Sequence, residues 1–202
     1  ARDERTKSLL RRAGIRAEHL WDGDNPDLDA TVGLSHLKAG RLAAESFLSA
    51  GLTRCAYVGS QLSRDLCAAS RLEGYSSSLA KHGATLELKT DPNLPRNTET
   101  GYALTRTLVA QREMPQAIHY LNDAMAIGGL RYLLEAEVAV PNKISVNGFN
   151  GTALLHSLTT RLSSIEVPLM DIGRRAATAA LVPPEACLQA QVDLIEISLT
   201  EG

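Results

Sequence analysis

The chain has 202 residues, of which 44% are apolar and 22% charged, and its formal net charge is −2. That size and balance suit a soluble globular protein with one large core or two linked half-domains. They argue against a basic nucleic-acid surface on this stretch, and no run approaches the ~20 apolar residues of a membrane span. No signal-peptide pattern opens the chain.

Helical and extended patterns alternate along the sequence. Glu4 to Ala13 reads as a short helix stopped by Gly14, and Ile15 to Trp21 as a strand. Asp22 to Asp29 is an acidic loop, and Thr31 to Ser35 a short extended piece. Lys38 to Ala50 carries helical apolar spacing and stops at Gly51, before a strand at Arg54 to Val58. Leu66 to His82 is the next helix, followed by a strand at Thr85 to Lys89 and a helix from Thr98 to Arg112. Ala117 to Leu121, Asp123 to Ala136 and Ile144 to Phe149 repeat the strand–helix–strand order. Helix, turn and strand recur around Leu154, Ser163 and Met170 to Leu181, and Val192 to Leu199 reads as one last strand. Such alternation predicts an α/β fold with parallel sheets flanked by helices. Ligands in such sheets sit at the carboxyl ends of strands. One strand and one helix before Thr31 do not make a stable half-domain, so the N-terminal part is expected to be incomplete here.

Arg71 opens the segment Arg71-Leu72-Glu73-Gly74-Tyr75 and is expected at the head of its helix, facing the strand ends. A guanidinium there can grip a carboxylate or sugar hydroxyls through two hydrogen bonds at once. Asp123 is a natural N-cap, which would leave the Asn122 amide to donate and accept toward a hydroxyl-rich ligand. Asn150, in the turn Gly148-Phe149-Asn150-Gly151, is placed to reach the same edge. Asp22 ends a strand and is a candidate ligand contact. Asp22, Asp24, Asp27 and Asp29 do not match a calcium loop, because Pro26 interrupts the oxygen spacing. No metal is expected, and no cofactor. Cys55, Cys67 and Cys187 form no metal-like pair, which fits a reducing cytoplasm. The bases of the first helix (Arg5, Lys7, Arg11, Arg12, Arg16) read as a solvated face. The five histidines pair with no serine or cysteine in a nucleophile motif, and His119 reads as a packed strand residue. Nothing supplies an enzyme's machinery.

The ordered motifs resemble the effector-binding core of lac-repressor (LacI-type) transcription regulators over nearly the whole chain. They are Ala39-Gly40-Arg41-Leu42-Ala43, Arg71-Leu72-Glu73-Gly74-Tyr75 and Asn122-Asp123-Ala124-Met125-Ala126-Ile127-Gly128. Val140-Pro141-Asn142-Lys143-Ile144-Ser145-Val146-Asn147-Gly148-Phe149, Arg161-Leu162-Ser163-Ser164-Ile165 and Met170-Asp171-Ile172-Gly173-Arg174-Arg175-Ala176-Ala177 follow. Within that family the chain looks most like the gluconate-operon repressor group, through Leu20-Trp21-Asp22, Gly59-Ser60-Gln61-Leu62-Ser63-Arg64-Asp65 and Gly148-Phe149-Asn150-Gly151.

The resemblance implies a two-lobed, type I periplasmic-binding-protein-like fold with an incomplete N-terminal lobe. That lobe would be 1–34 and 166–182, and the C-terminal lobe 35–165 and 183–202, with crossings near Leu34, Phe149 to Ile165, and Pro183. It also implies a helix-turn-helix head for operator DNA outside this chain, a homodimer, and a sugar or sugar-acid effector between the lobes. Effector contacts carried over residue by residue fall on Asp22, Leu34, Arg71, Asn122 and Asn150, with Arg64 and Arg96 as added candidates. The family more often has aspartate at Asn150. An amide there removes a repulsion of ~1 kcal/mol or more against an anion. Arg96 stands where the family is often aromatic, and Val167 where it is often polar, which together favour a sugar acid. A periplasmic sugar-binding protein of a transport system is the alternative.

Overall fold

The computed structural model describes residues 4–13, 17–26, 29–181 and 191–200. Ile15, Arg16, Asp27, Pro183 and Cys187, all used in the sequence reading, lie outside them. The elements run α1 (Glu4–Arg12), β1 (Glu18–Asp22), β2 (Ala30–Leu34), α2 (His36–Ser49), β3 (Arg54–Ser60), α3 (Leu66–Lys81) and β4 (Thr85–Asp91). They continue as α4 (Thr98–Val109), β5 (Ala117–Tyr120), α5 (Asp123–Glu135), β6 (Ser145–Asn150), β7 (Ser163–Glu166), α6 (Leu169–Ala180), β8 (Gln191–Leu194) and β9 (Ser198–Thr200). The fold is α/β, as the alternation of helix and strand predicts.

Two compact units emerge. The first holds residues 1–36 and 168–197, and its strands form a parallel sheet in the order β1-β2-β8. The second holds 37–167 and 198–202, around a sheet in the order β4-β3-β5-β6-β7-β9. Its first five strands are parallel, and only β9 runs antiparallel, on β7.

The C-terminal segment departs from expectation. Val192 to Leu199 is not one strand. Residues 191–194 pair with β2, so they do not join the lobe to which 183–202 was assigned. The Ile195 amide donates to the Gly33 carbonyl at 2.7 Å and ends that pairing, and Ser198–Thr200 then pairs with β7. Apolar residues recur from Val192 to Leu199, but the alternation slips by one residue at Leu194-Ile195, where the pairing with β2 ends.

Close glycine contacts set the helices of the second unit. A Cβ on Gly40 would lie 1.9 Å from the Arg71 carbonyl oxygen, and one on Gly74 would lie 2.1 Å from that of Leu37. Backbone therefore meets backbone where α2 crosses α3. Gly101 and Gly128 do the same for α4 and α5 against Met125 and Thr98. The core beneath these helices is Tyr57, Val58, Tyr75, Leu79, Leu108, Ile118, Tyr120, Met125, Leu133 and Phe149, all buried.

Candidate functional site

The carboxyl edge of the six-stranded sheet gathers five of the seven candidate residues. Asn122 follows β5, Asn150 ends β6, Arg96 follows β4, and Arg64 sits in a 3-10 turn after β3. Arg71 comes from the second turn of α3, not its head, and still reaches this edge. Its Nη2 donates to the Leu121 carbonyl at 3.3 Å, just past β5. Its guanidinium carbon stands 3.8 Å from the centre of the Phe149 ring. The side chain is only 4% exposed. Burial pushes its pKa downward, and the neighbouring Tyr57 and Asp65 work against that push. An arginine keeps its proton even so. The result is a planar cation held against an aromatic face, with its position set by packing rather than by solvent.

Helix α3 owes its start to Asp65. That residue is extended and its carboxylate accepts from the Ala68 amide at 3.0 Å, a cap of the usual kind. Ala68, Arg71, Tyr75 and Leu79 then recur at helical spacing on the buried face.

Asn122, and not Asp123, caps α5. Its backbone is extended and its Oδ1 accepts from the Met125 amide at 2.9 Å. Asp123 instead turns inward, accepting from Ser164 Oγ at 2.6 Å and from the Thr152 amide at 2.7 Å. The Asn122 amide nitrogen also donates to the Arg96 carbonyl at 3.3 Å. One amide hydrogen and one lone pair are left over for a ligand.

Asn150 has a φ of 122°, a region that L-residues rarely enter. Its carbonyl accepts from the Val167 amide at 3.2 Å, which holds the strand end in place. Strained backbone of this kind concentrates at functional positions.

Arg64 is exposed. Arg96 is committed to protein partners: its guanidinium contacts the Ser60 and Gln61 carbonyls and the Asp65 carboxylate. In the first unit, Asp22 and Leu34 end β1 and β2 and both are buried. The Asp22 carboxylate accepts from the Asp24 amide at 3.1 Å and from Asn25 Nδ2 at 3.0 Å. Val167, where the resemblance lacks a polar group, is buried as a hydrophobe.

Sequence reasoning missed Phe149 and Asp65 as parts of this edge. Asp65 carried a readable signal, an aspartate one residue before a helix. Phe149 carried none, because its role depends on α3 crossing β6. His119 is a core residue as expected. The β3–β5 register sets it opposite Tyr57, and it packs between Tyr57 and Tyr75. Among the described residues no cluster of three or more His, Cys, Asp or Glu could hold a metal ion. No helix among them is long and apolar enough to cross a membrane.

This architecture has a close counterpart among known domains. The family of periplasmic binding protein-like domains matches residues 44–182. The chain belongs to that family. It is 36% identical over 186 residues to the HTH-type transcriptional regulator GntR of Pseudomonas aeruginosa, covering 89% of this chain and 52% of that protein. It is 29% identical over 178 residues to the HTH-type transcriptional regulator IdnR of Escherichia coli, covering 88% and 53%. The structure of a LacI-family transcriptional regulator from Silicibacter pomeroyi superposes with a TM-score of 0.92 at 31% identity, over 100% of this chain and 61% of that one. Within the family, this periplasmic binding protein-like domain is the effector-binding core of the LacI type. The chain spans about half the length of the curated relatives it matches.

Proposed function

We propose that this domain senses a small sugar acid, gluconate-like in chemistry, for a cytoplasmic transcription regulator that acts as a dimer and reads operator DNA through a separate helix-turn-helix head. It does no chemistry on the ligand. The observation that carries the reading is the buried Arg71 guanidinium, stacked on Phe149 and hydrogen-bonded to Leu121 at the carboxyl edge of the sheet. A cation held in place there pairs with a ligand carboxylate at little ordering cost. Asn122 and Asn150 hold hydroxyls beside it. The amide at Asn150 spares an anion the repulsion that a carboxylate would bring. Binding then biases the domain between conformations with different DNA affinity.

The HTH-type regulators matched over most of the chain support a regulator rather than a transport-type binding protein. Calorimetry of the full-length protein with gluconate, glucose and ribose tests the reading. Gluconate is expected to bind at micromolar concentration and the neutral sugars far more weakly. Micromolar binding of ribose or glucose without gluconate would overturn the sugar-acid assignment.

A further inference from the structure

Arg96 ties together three loops that the strands deliver to the same edge. Its Nε donates to the Ser60 carbonyl at 3.2 Å and its Nη2 to the Gln61 carbonyl at 2.9 Å, both after or at the end of β3. Its Nη1 pairs with the Asp65 carboxylate. Its own carbonyl, after β4, accepts from Asn122 after β5. Ser60 Oγ adds a bond to the Asp91 carbonyl at 2.8 Å, again joining β3 to β4. Asp65 is also the cap of α3, the helix that carries Arg71.

The two side chains of the pair are 24% and 29% exposed, so water screens them only in part. Burial pushes the Asp65 carboxyl upward, but the Arg96 hydrogen bond and the Ala68 amide outweigh it and hold that carboxyl below its usual range. Every nitrogen of the guanidinium already has a protein partner, which is the arrangement of a brace rather than of a ligand-binding fork.

We propose that the Arg96–Asp65 pair is a latch that positions Asn122 and Arg71 for the effector, so that Arg96 is a positioning residue and not a ligand contact. This rests on the effector-binding reading above. It makes a prediction of opposite sign to simple electrostatics. If Asp65 acted only through its charge, removing it would strengthen an anion's hold on Arg71. If the pair is a latch, removing it loosens the site and weakens binding. Asparagine at 65 still caps α3, so Asp65→Asn isolates the ion pair.

The test uses the full-length protein as parent, Arg96→Gln, Asp65→Asn and the double variant, titrated calorimetrically with gluconate and with ribose. The latch predicts that each single variant weakens binding roughly tenfold and that the double variant weakens it no further, because both remove one shared interaction. Tighter binding by Asp65→Asn overturns it. So does a loss confined to Arg96→Gln, which would mark a direct contact. If the parent binds ribose and not gluconate, the sugar-acid reading fails while the same cycle, run on ribose, still decides the latch. If the parent binds neither, amide hydrogen exchange decides. Both single variants must speed exchange over residues 61–66 alike while β5 stays protected, and unchanged exchange there overturns the proposal.

Discussion

The guanidinium carbon of Arg71 lies 3.8 Å from the centre of the Phe149 ring, so the planar cation rests on an aromatic platform inside the second unit. Charge, plane and orientation are thereby set together. A lysine at 71 keeps the charge but neither stacks as a plane nor offers a two-pronged fork. Arg71→Lys is expected to weaken gluconate binding by at least tenfold. Phe149→Leu removes the platform, worth about 1–2 kcal/mol when desolvated, and weakens the same ligand with a smaller loss. Calorimetry on both variants checks the order, and parent-like affinity in Arg71→Lys would show that only net charge matters.

Gly40 is the second handle on the same arginine. Its missing Cβ leaves room for the Arg71 carbonyl, which an added methyl would meet at 1.9 Å, and for the Tyr75 amide at 2.7 Å. Both neighbours are backbone and have nowhere to go. Gly40→Ala is expected to cost about 2–3 kcal/mol in urea unfolding and to displace α3 enough to impair ligand binding. Gly173, inside α6 with nothing within 4 Å of where a methyl would stand, is the control. Gly173→Ala should stabilise by about 0.5–1 kcal/mol, because only backbone entropy changes.

Much of this organisation was legible because it is local. The alternation of helix and strand, the parallel sheet, the order of the motifs and the strand-end placement of Asn122 and Asn150 all follow from periodicity and turn residues. What was hidden depends on partners distant in sequence. Asn122 takes the α5 cap because Asp123 is drawn inward by Ser164, a contact 41 positions away. Arg96 looked like spare positive charge until its loop folded back on Ser60, Gln61 and Asp65. The final apolar run divides between two sheets because Gly33 and β7 each claim part of it.

Tyr57 gives a test in which losing a polar group should do no harm. Three tyrosines are fully buried in the second unit. Tyr75 donates to the Ala56 carbonyl at 3.3 Å, and the Tyr120 hydroxyl sits 2.9 Å from Thr105 Oγ1. The Tyr57 hydroxyl has no hydrogen-bond partner among the described residues, and burial pushes its pKa up to about 12. A buried polar group without a partner carries its desolvation cost uncompensated. Tyr57→Phe is therefore expected to leave unfolding free energy unchanged or raise it by up to about 1 kcal/mol, whereas Tyr120→Phe should lower it by about 1 kcal/mol. Chemical denaturation of the two variants side by side checks this, and a clear loss in Tyr57→Phe would reveal a bound partner for that hydroxyl.

His119 makes the fold sensitive to mild acid. Its Nδ1 is 2.7 Å from Asn147 Oδ1, and Tyr57 and Tyr75 pack on its ring. Burial is the main cause that lowers its pKa to about 4, with the Asn147 hydrogen bond acting the other way and Arg71 adding to the drop. In the unfolded chain the same imidazole titrates near 6.5. The folded state thus binds the proton less readily than the unfolded one. Above about pH 6.5 both states hold a neutral ring and the full stability is present. As pH falls from about 6.5 toward 4, the unfolded state gains a proton that the folded state refuses, and stability drops by about 1.4 kcal/mol per pH unit. The total loss is on the order of 3 kcal/mol and is complete below about pH 4. His119→Gln keeps a polar side chain of comparable reach but does not titrate. Urea midpoints measured from about pH 7.5 to 4 should fall steeply for the parent and more shallowly for the variant over this window. Parallel slopes would mean that His119 is not the group that couples this fold to acid.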